Sequence, residues 1–266
     1  MLVTGASRGL GMSTAHALRA AGWRVIAGAR DPSAVSYDDP GITVVPLDVT
    51  DHEGVRAAVA TAEEIAGGAL DALVSNAGYA FLGPVAGLEI DGLRTQFETN
   101  VFGALAVTQA VLPAMRAARR GRILVVSTVG TRLSTPLLGG YRASKAAFDA
   151  LADTLRLEVR PFGVEIVRVE PGMVATGFSA SVQRSGSMSL DQGPWATMAS
   201  QTVGGMRRWR QWIDLPPDQV AADIVRLLEM PDPPVTELIG EDAVHLAGLS
   251  DEELLDFLGV DHPGAP

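Results

Sequence analysis

Short apolar runs alternate with longer helical patterns through most of this chain. The runs contain few polar residues, which is typical of parallel strands that are buried on both faces of a sheet. Strands that alternate with helices predict a doubly wound α/β sheet with helices on both of its faces. The runs are residues 1–4, 23–29, 42–47, 70–75, 123–127 and 164–169, and residues 235–239 can add a brief seventh strand.

Length and composition narrow the classes of protein to which the chain can belong. Its 266 residues suit one large domain, and 47% apolar and 20% charged residues are an ordinary globular balance. A net charge of −10 argues against a nucleic-acid partner. The chain has no cysteine and its four histidines have no ligand spacing, so we predict neither disulfides nor a metal site. No apolar run reaches membrane-spanning length and no secretion signal begins the chain, which predicts a cytoplasmic protein without a membrane partner.

Three glycines follow the first run and open a helical pattern. Gly5, Gly9 and Gly11 would let the backbone approach a pyrophosphate. The N-terminus of the helix that follows offers free N–H donors and the positive end of the helix dipole. This context predicts a Rossmann-type dinucleotide site at the end of the first strand. The alternative is a tight strand–helix turn that binds no ligand.

The second run ends without the acidic residue that an NAD site uses to bind the ribose hydroxyls. Ala29 supplies no carboxylate, Arg30 follows it, and Arg8 lies inside the glycine loop. Two guanidiniums suit a 2′-phosphate, which they can hold through paired hydrogen bonds. We expect Asp31 to act as a cap or turn residue in the next loop. The pattern therefore favours NADP(H) over NAD(H).

Tyr141 and Lys145 lie four residues apart near the start of a long predicted helix, so they share one helical face. A tyrosine with an ordinary pKa near ~10 is a poor proton shuttle at neutral pH. A nearby ammonium favours the phenolate, so we expect Lys145 to lower the pKa of Tyr141 and make it a general acid/base. The alternative is a tyrosine packed beside a lysine that extends to solvent.

Several short motifs occur in the order and spacing of the short-chain dehydrogenase/reductase superfamily, which the chain resembles up to about residue 176. They are Thr4-Gly5-x3-Gly9-x-Gly11, Asn76-Ala77-Gly78, Asn100, Tyr141-x3-Lys145 and Pro171-Gly172. The resemblance implies a Rossmann fold, a nicotinamide cofactor and a small carbonyl or alcohol substrate. It also implies a homodimer or homotetramer through the two long helices.

The resemblance implies a role for each matching residue. Tyr141 looks like the general acid that protonates the carbonyl oxygen in reduction, and like the base in oxidation. Lys145 would hold the nicotinamide ribose, and Asn100 resembles the residue that holds a water of the proton relay. The implied cofactor-binding residues are Gly5, Ser7, Arg8, Gly9, Leu10, Gly11, Arg30, Asp48, Val49, Asn76, Ala77, Gly78, Tyr141, Lys145, Pro171, Gly172, Val174 and Thr176.

One position departs from the pattern of the superfamily. A serine usually lies thirteen residues before the tyrosine and hydrogen-bonds the substrate carbonyl, but here that residue is Thr128. Threonine keeps the hydroxyl, so the role can survive. The neighbouring Ser127 should not be interchangeable with it, because adjacent residues of a strand point in opposite directions. We predict that Thr128 is the catalytic hydroxyl.

The remainder of the chain is less regular. Residues 178–214 contain three of the four tryptophans and several methionines. This composition indicates a lid that covers an apolar substrate pocket. Surface packing and an oligomer contact are the alternatives. We expect residues 240–266 to form a C-terminal tail with one short helix, opened by a capping box at Ser250.

These features together predict a single-domain NADP(H)-dependent oxidoreductase that interconverts a ketone or aldehyde and an alcohol on a small hydrophobic substrate. Two alternatives stay open: a non-catalytic NADP(H)-binding regulator on the same fold, and an epimerase or dehydratase on the same scaffold.

Overall fold

The computed structural model describes residues 1–175, 182–210 and 215–261, apart from the side chains of residues 209 and 210. In chain order the strands are β1 (Leu2–Thr4), β2 (Val25–Ala29), β3 (Ile42–Pro46), β4 (Ala72–Ser75), β5 (Phe81–Leu82), β6 (Gly121–Val126), β7 (Val164–Pro171), β8 (Gln183–Arg184) and β9 (Thr236–Ile239). Seven of these strands form one sheet in the order β3–β2–β1–β4–β6–β7–β9, and every neighbouring pair is parallel. The predicted doubly wound α/β fold is therefore confirmed.

Helices cover both faces of the sheet, and each face has its own apolar cluster. In chain order the helices are α1 (Gly9–Ala20), α2 (His52–Ala66), α3 (Ile90–Phe97), α4 (Ala104–Ala118), α5 (Gly139–Val159), α6 (Ala196–Arg210), α7 (Pro217–Glu229), α8 (Glu241–Leu246) and α9 (Asp251–Leu258). On one face α1 packs against α7, and on the other α4 packs against α2 and α5.

Local sequence signals explain several helix boundaries. The Asp51 side chain accepts a hydrogen bond from the Gly54 amide at 3.1 Å and so caps α2, which ends at the left-handed Gly67. Ser250 and Glu253 form the predicted capping box of α9.

The long helix that begins after β5 changes its winding in the middle. Six residues, Glu98–Gly103, form a π-helical segment between α3 and α4. Inserted π turns are rare and occur frequently at functional sites. By length and composition the continuous helix Ile90–Ala118 could span a membrane, which the sequence analysis did not anticipate. Its α4 part instead packs in the core against the sheet, with Val107 and Met115 fully buried.

The C-terminal third is more regular than predicted. The proposed lid, residues 178–214, contains β8 and the fifteen-residue helix α6 among its described residues. Helix α6 buries Ala199 and Thr202 completely, because it packs against α9 and an apolar cluster beneath it. Residues 240–261 form α8 and α9 instead of a tail with a single helix. The pairing of β5 with β8 was also missed, because two-residue strands have no periodicity to detect.

Candidate active site

The predicted site residues lie at the carboxyl ends of the parallel strands, where the strand order reverses around β1. The glycine loop follows β1, and Asn76 follows the neighbouring β4. Asn76 links the two segments by two hydrogen bonds. Its side-chain Nδ2 donates to the Thr4 carbonyl at 2.9 Å, and its backbone N–H donates to Thr4 Oγ1 at 3.0 Å. Thr4 Oγ1 also accepts a hydrogen bond from the Ala77 amide at 3.0 Å.

The glycine loop has a shape that other residues would disrupt. Gly5 and Gly9 have φ values of 64° and 55°, in the left-handed region that favours glycine. A Cβ added at Gly11 would lie 2.3 Å from the Gly5 carbonyl oxygen and 2.7 Å from Asn76 Nδ2. The loop therefore brings its backbone close to neighbouring backbone, with Ser7 and Arg8 exposed at its tip.

The N-terminus of α1 fits a diphosphate. Arg8 occupies the cap position in an extended conformation, no side chain caps the helix, and the first turn contains no acidic residue. Uncapped N–H groups and the positive end of the helix dipole together favour an anionic ligand.

Arg8 and Arg30 are both exposed, and neither guanidinium has a hydrogen bond or an ion pair in the described part of the chain. Asp31 acts as the predicted cap: its carboxylate accepts from the Ser33 amide at 3.0 Å and from Ser33 Oγ at 2.6 Å. These bonds hold the pKa of Asp31 below its usual value. The geometry leaves both guanidiniums available for a phosphate.

The Asp48–Val49 pair divides its side chains between solvent and core. The exposed Asp48 carboxylate accepts from the Thr50 amide at 3.0 Å and from Thr50 Oγ1 at 2.8 Å. Val49 is buried in the core cluster beneath α2 and α4. Any contact of Val49 with a bound cofactor would therefore come from its backbone.

Asn100 is buried in the π-helical segment, and its side chain makes three hydrogen bonds. Its Oδ1 accepts from the Tyr79 amide at 3.1 Å, while Nδ2 donates to the Tyr79 carbonyl at 2.9 Å and to Ser144 Oγ at 3.0 Å. A Cβ added at Gly78 would lie 3.1 Å from Asn100 Oδ1 and 3.4 Å from Lys145 Nζ. Asn100 thus joins the loop after β4 to the Tyr141 helix, and it lies beside Lys145 in the space that Gly78 leaves open.

Ser127 and Thr128 point in different directions, as predicted. Ser127 is buried, and its hydroxyl donates to Asp149 Oδ2 at 2.7 Å. Thr128 is half-buried, and its hydroxyl oxygen accepts from the Gly130 amide at 3.1 Å, so the hydroxyl proton remains available for donation. Because the Ser127 hydroxyl is buried and hydrogen-bonded to Asp149, Thr128 is the better placed of the two hydroxyls to contact a substrate.

Lys145 is buried, and its Nζ donates to the Val126 carbonyl at 2.9 Å. Burial lowers the pKa of Lys145 to about 8, against the opposing effect of the Asp149 carboxylate. Desolvation raises the pKa of the half-buried Tyr141, and Asp149 raises it further. The net shift at Tyr141 is opposite to the expected one, because desolvation of the phenolate and the charge of Asp149 both raise the pKa.

The last group of predicted cofactor residues lies at the end of β7, with Pro171, and in the loop that follows this strand. Asp242 fixes this loop from α8, since its Oδ2 accepts from the Met173 amide at 2.7 Å and leaves no room for a Cβ at Gly172. Val174 forms an isolated bridge with Leu215. Thr176 lies outside the described residues.

A largely apolar cavity of about 420 Å³ lies beside the N-terminus of α5. Leu137 and Gly139 line it just before Tyr141, and Arg142 lines it just after. Trp195 and Met198 of the predicted lid line its other side, while Met206 packs against the cluster beneath α6. Met188 does not line this cavity, Trp212 lies outside the described residues, and the Trp209 side chain is not described. Closure of this segment as a lid stays a prediction.

Two buried carboxylates next to the site were missed in the sequence. Asp149 and Asp242 are 6% and 0% exposed, and both bond to segments that carry site residues. Asp149 could have been noticed, because it follows Lys145 by four residues on the same helical face. Asp242 has no such signal, since the contact joins segments 69 residues apart. Among the described residues no group of three or more His, Asp or Glu side chains could hold a metal ion.

Comparisons with known proteins agree with this geometry. A family model described as short chain dehydrogenase matches residues 1–186. Oxidoreductase BOA17 of Botryotinia fuckeliana is 33% identical over 257 residues, which cover 95% of this chain and 92% of that protein. A crystal structure of a short-chain dehydrogenase from Streptomyces avermitilis has a TM-score of 0.80 at 34% identity and covers 96% of this chain and 92% of its own. A short chain dehydrogenase from Burkholderia cenocepacia in complex with NADP has a TM-score of 0.75 at 26% identity, with 97% and 95% covered.

Proposed function

Because the chain belongs to the short-chain dehydrogenase/reductase family of oxidoreductases, we propose that it interconverts a ketone or aldehyde and an alcohol with NADP(H). One observation carries the proposal: hydrogen bonds join the helix of Tyr141 both to the carboxyl end of β6, just before Thr128, and to Asn100. Lys145 Nζ donates a hydrogen bond to the carbonyl of Val126, two residues before Thr128. Asn100 Nδ2 donates a hydrogen bond to the hydroxyl of Ser144, which directly precedes Lys145. An uncapped helix and two unpaired arginines lie at the same sheet edge, as a phosphorylated dinucleotide requires.

In the proposed reduction, each residue of the chain has a separate task. NADPH, held at the glycine loop, would supply the hydride for the carbonyl carbon. The Thr128 hydroxyl donates a hydrogen bond to the carbonyl oxygen, and Tyr141 transfers its phenolic proton to that oxygen. Lys145 stabilises the resulting phenolate, and Asn100 holds the loop and helix of the proton relay together.

The raised pKa of Tyr141 predicts that the two directions of the reaction differ in their pH dependence. At neutral pH the phenol is protonated, as donation to a carbonyl oxygen requires, although the shift also makes it a weaker acid. Oxidation of an alcohol needs the phenolate, and its rate is therefore expected to rise with pH. A pH series of both directions measures this asymmetry.

The cavity beside Tyr141 supports an apolar substrate. Pro84, Val85 and Pro136 line it together with Trp195 and Met198. Ligand pockets of this kind are mostly apolar, with a few polar groups that fix orientation. The reacting carbonyl would be held by Thr128 and Tyr141, and the apolar remainder would lie against this wall.

Isotope transfer tests the reaction type. The purified protein is incubated with NADPH that is doubly deuterated at C4 and with a panel of apolar ketones and aldehydes. We expect one deuterium on the carbinol carbon of the product. An isomerised or dehydrated product without deuterium would instead indicate an epimerase or a dehydratase. NADPH binding without turnover on any panel member would favour a regulator.

The cofactor preference rests on the two unpaired arginines. Replacing Arg30 with alanine removes a charge-assisted contact to the 2′-phosphate and is expected to raise the Kd of NADPH about 10- to 100-fold. The Kd of NADH should change less than about threefold, because NADH has no 2′-phosphate. Titration calorimetry with both cofactors measures the two constants. Arg120→Ala is the matched control. This exposed arginine, which is ion-paired with Asp71, lies just before β6, at the amino ends of the strands and so at the opposite end of the sheet from the glycine loop. Equal losses for NADPH and NADH in Arg30→Ala would contradict the assignment.

We also expect a homodimer or homotetramer through the two long helices. Exposed apolar side chains support this expectation, with Phe102 50% exposed in the π-helical segment and Leu157 59% exposed on α5. Light scattering during size-exclusion chromatography measures the state directly.

A further inference from the structure

Asp149 is a buried carboxylate to which the proposed reaction assigns no role. It lies on α5 one turn beyond Lys145 and two turns beyond Tyr141, on the same helical face. Asp149 is 6% exposed, and its Oδ2 accepts from Ser127 Oγ at 2.7 Å. Its Oδ1 has no hydrogen-bond partner in the described part of the chain. A buried carboxylate oxygen without a donor is costly, so its position next to the candidate active site calls for an explanation.

A chain of alternating charges anchors this carboxylate. Arg168 Nη1 lies 3.4 Å from Asp149 Oδ2 and 2.9 Å from Glu170 Oε1. Glu170, 1% exposed, also accepts from Arg132 Nε at 2.6 Å. Glu170 directly precedes Pro171, and Arg132 lies in the 3₁₀ turn that follows Thr128. The network therefore joins the Tyr141 helix to the turn that follows Thr128 and to the end of β7 at Pro171.

Asp149 acts electrostatically on both members of the candidate catalytic pair. Its charge raises the pKa of Lys145 against the effect of burial, and it also raises the pKa of Tyr141. Desolvation raises the pKa of Asp149 itself, while Ser127, Arg168 and Lys145 oppose that shift. The charged groups that face it are Lys145 on its own helix and Arg168 and Glu170 on β7, whereas β6 contributes the Ser127 hydroxyl.

We propose that Asp149 is a positioning residue for the Tyr141–Lys145 pair, and that its buried carboxylate, anchored by Ser127 and Arg168, keeps the Lys145 amine in its ammonium form. Without this carboxylate, the buried amine would lose its proton closer to neutral pH. The catalytic meaning of the ammonium rests on the proposed function, but its charge state can be measured without any substrate.

The sequence offers a direct probe, because Lys145 is the only lysine in the chain. Protein grown with ¹³C-labelled lysine gives a single ¹³Cε resonance, whose chemical shift against pH reports the pKa of Lys145. In Asp149→Asn, which keeps the shape and an acceptor for Ser127, we expect this pKa to fall by about one unit. Glu158→Gln is the matched control, since it removes a carboxylate from the exposed side of the same helix. We expect the Lys145 titration to be unchanged in this variant.

Folding of each variant is checked by circular dichroism before the titration. A folded Asp149→Asn protein with an unchanged Lys145 pKa overturns the proposal. If Asp149→Asn does not fold, Ser127→Ala replaces it, because loss of the Ser127 hydroxyl weakens the carboxylate form of Asp149. A smaller fall of the Lys145 pKa in the same direction is then expected, and no fall overturns the proposal. These titrations report on the amine alone, so their failure is distinct from a failure of the proposed reaction.

Discussion

Tyr141→Phe is expected to lower turnover about 1,000-fold while it changes the Kd of NADPH by less than about twofold. The substitution removes the phenolic proton that the carbonyl oxygen must receive, and it keeps the aromatic ring. The glycine loop, the α1 N-terminus and Arg30 remain intact, so cofactor binding should persist. The measurement combines NADPH oxidation at 340 nm, with the panel ketone that wild type reduces best, and titration calorimetry.

Tyr79→Phe is the matched control for this experiment. Its hydroxyl is buried without a hydrogen-bond partner in the described residues, and only its backbone groups bond Asn100. Turnover of Tyr79→Phe should stay within about twofold of wild type. If Tyr141→Phe lost NADPH binding together with turnover, Tyr141 would have a structural role instead of a catalytic one. Retention of full turnover would exclude it as the proton donor.

Gly11→Ala is expected to damage both stability and cofactor binding. The new Cβ would lie 2.3 Å from the Gly5 carbonyl oxygen, so the glycine loop would have to move. Overpacking of this kind lowers the free energy of unfolding by about 2 kcal/mol. Displaced loop amides lose their hydrogen bonds to the diphosphate, which should raise the Kd of NADPH about 100-fold. Urea unfolding and titration calorimetry measure the two effects.

Gly204→Ala tests whether the loss is specific to the glycine loop. Gly204 lies in α6, and outside the helix's own backbone the one atom of the described residues near its added Cβ is Arg208 Nη1 at 3.5 Å. Alanine is the better helix former, so this variant should gain up to about 1 kcal/mol of stability and keep its affinity for NADPH. Comparable losses in the two variants would show that the loop geometry is not the cause.

Most of the fold could be predicted because its signals are local. Apolar runs without alternation indicated the strands of the parallel sheet, and Asp51 and Ser250 marked helix starts that the structure confirms. The pairing of β5 with β8 could not be predicted, since it joins segments about a hundred residues apart through a few backbone hydrogen bonds. Helix α6 escaped prediction because its buried face matches a cluster that exists only in the folded protein.

The candidate site also has features that local spacing could predict and features that it could not. Helical spacing placed Tyr141 and Lys145 on one face, and strand geometry separated Thr128 from Ser127, as the hydrogen bonds show. The pKa of Tyr141 could not be predicted even in direction. That value depends on how much water the phenol loses and on a carboxylate two turns away, and neither quantity is a property of the Tyr141–Lys145 spacing.

The amino-acid sequence by itself determined the α/β class, the glycine loop after β1 and the shared face of Tyr141 and Lys145, because backbone propensities and side-chain periodicity act over a few residues. Only the tertiary structure decided three hydrogen bonds: Asn100 donates to the Tyr79 carbonyl, Ser127 donates to the Asp149 carboxylate, and Asp242 accepts from the loop after β7. Burial and strand order choose these partners, and both arise only when distant segments pack together.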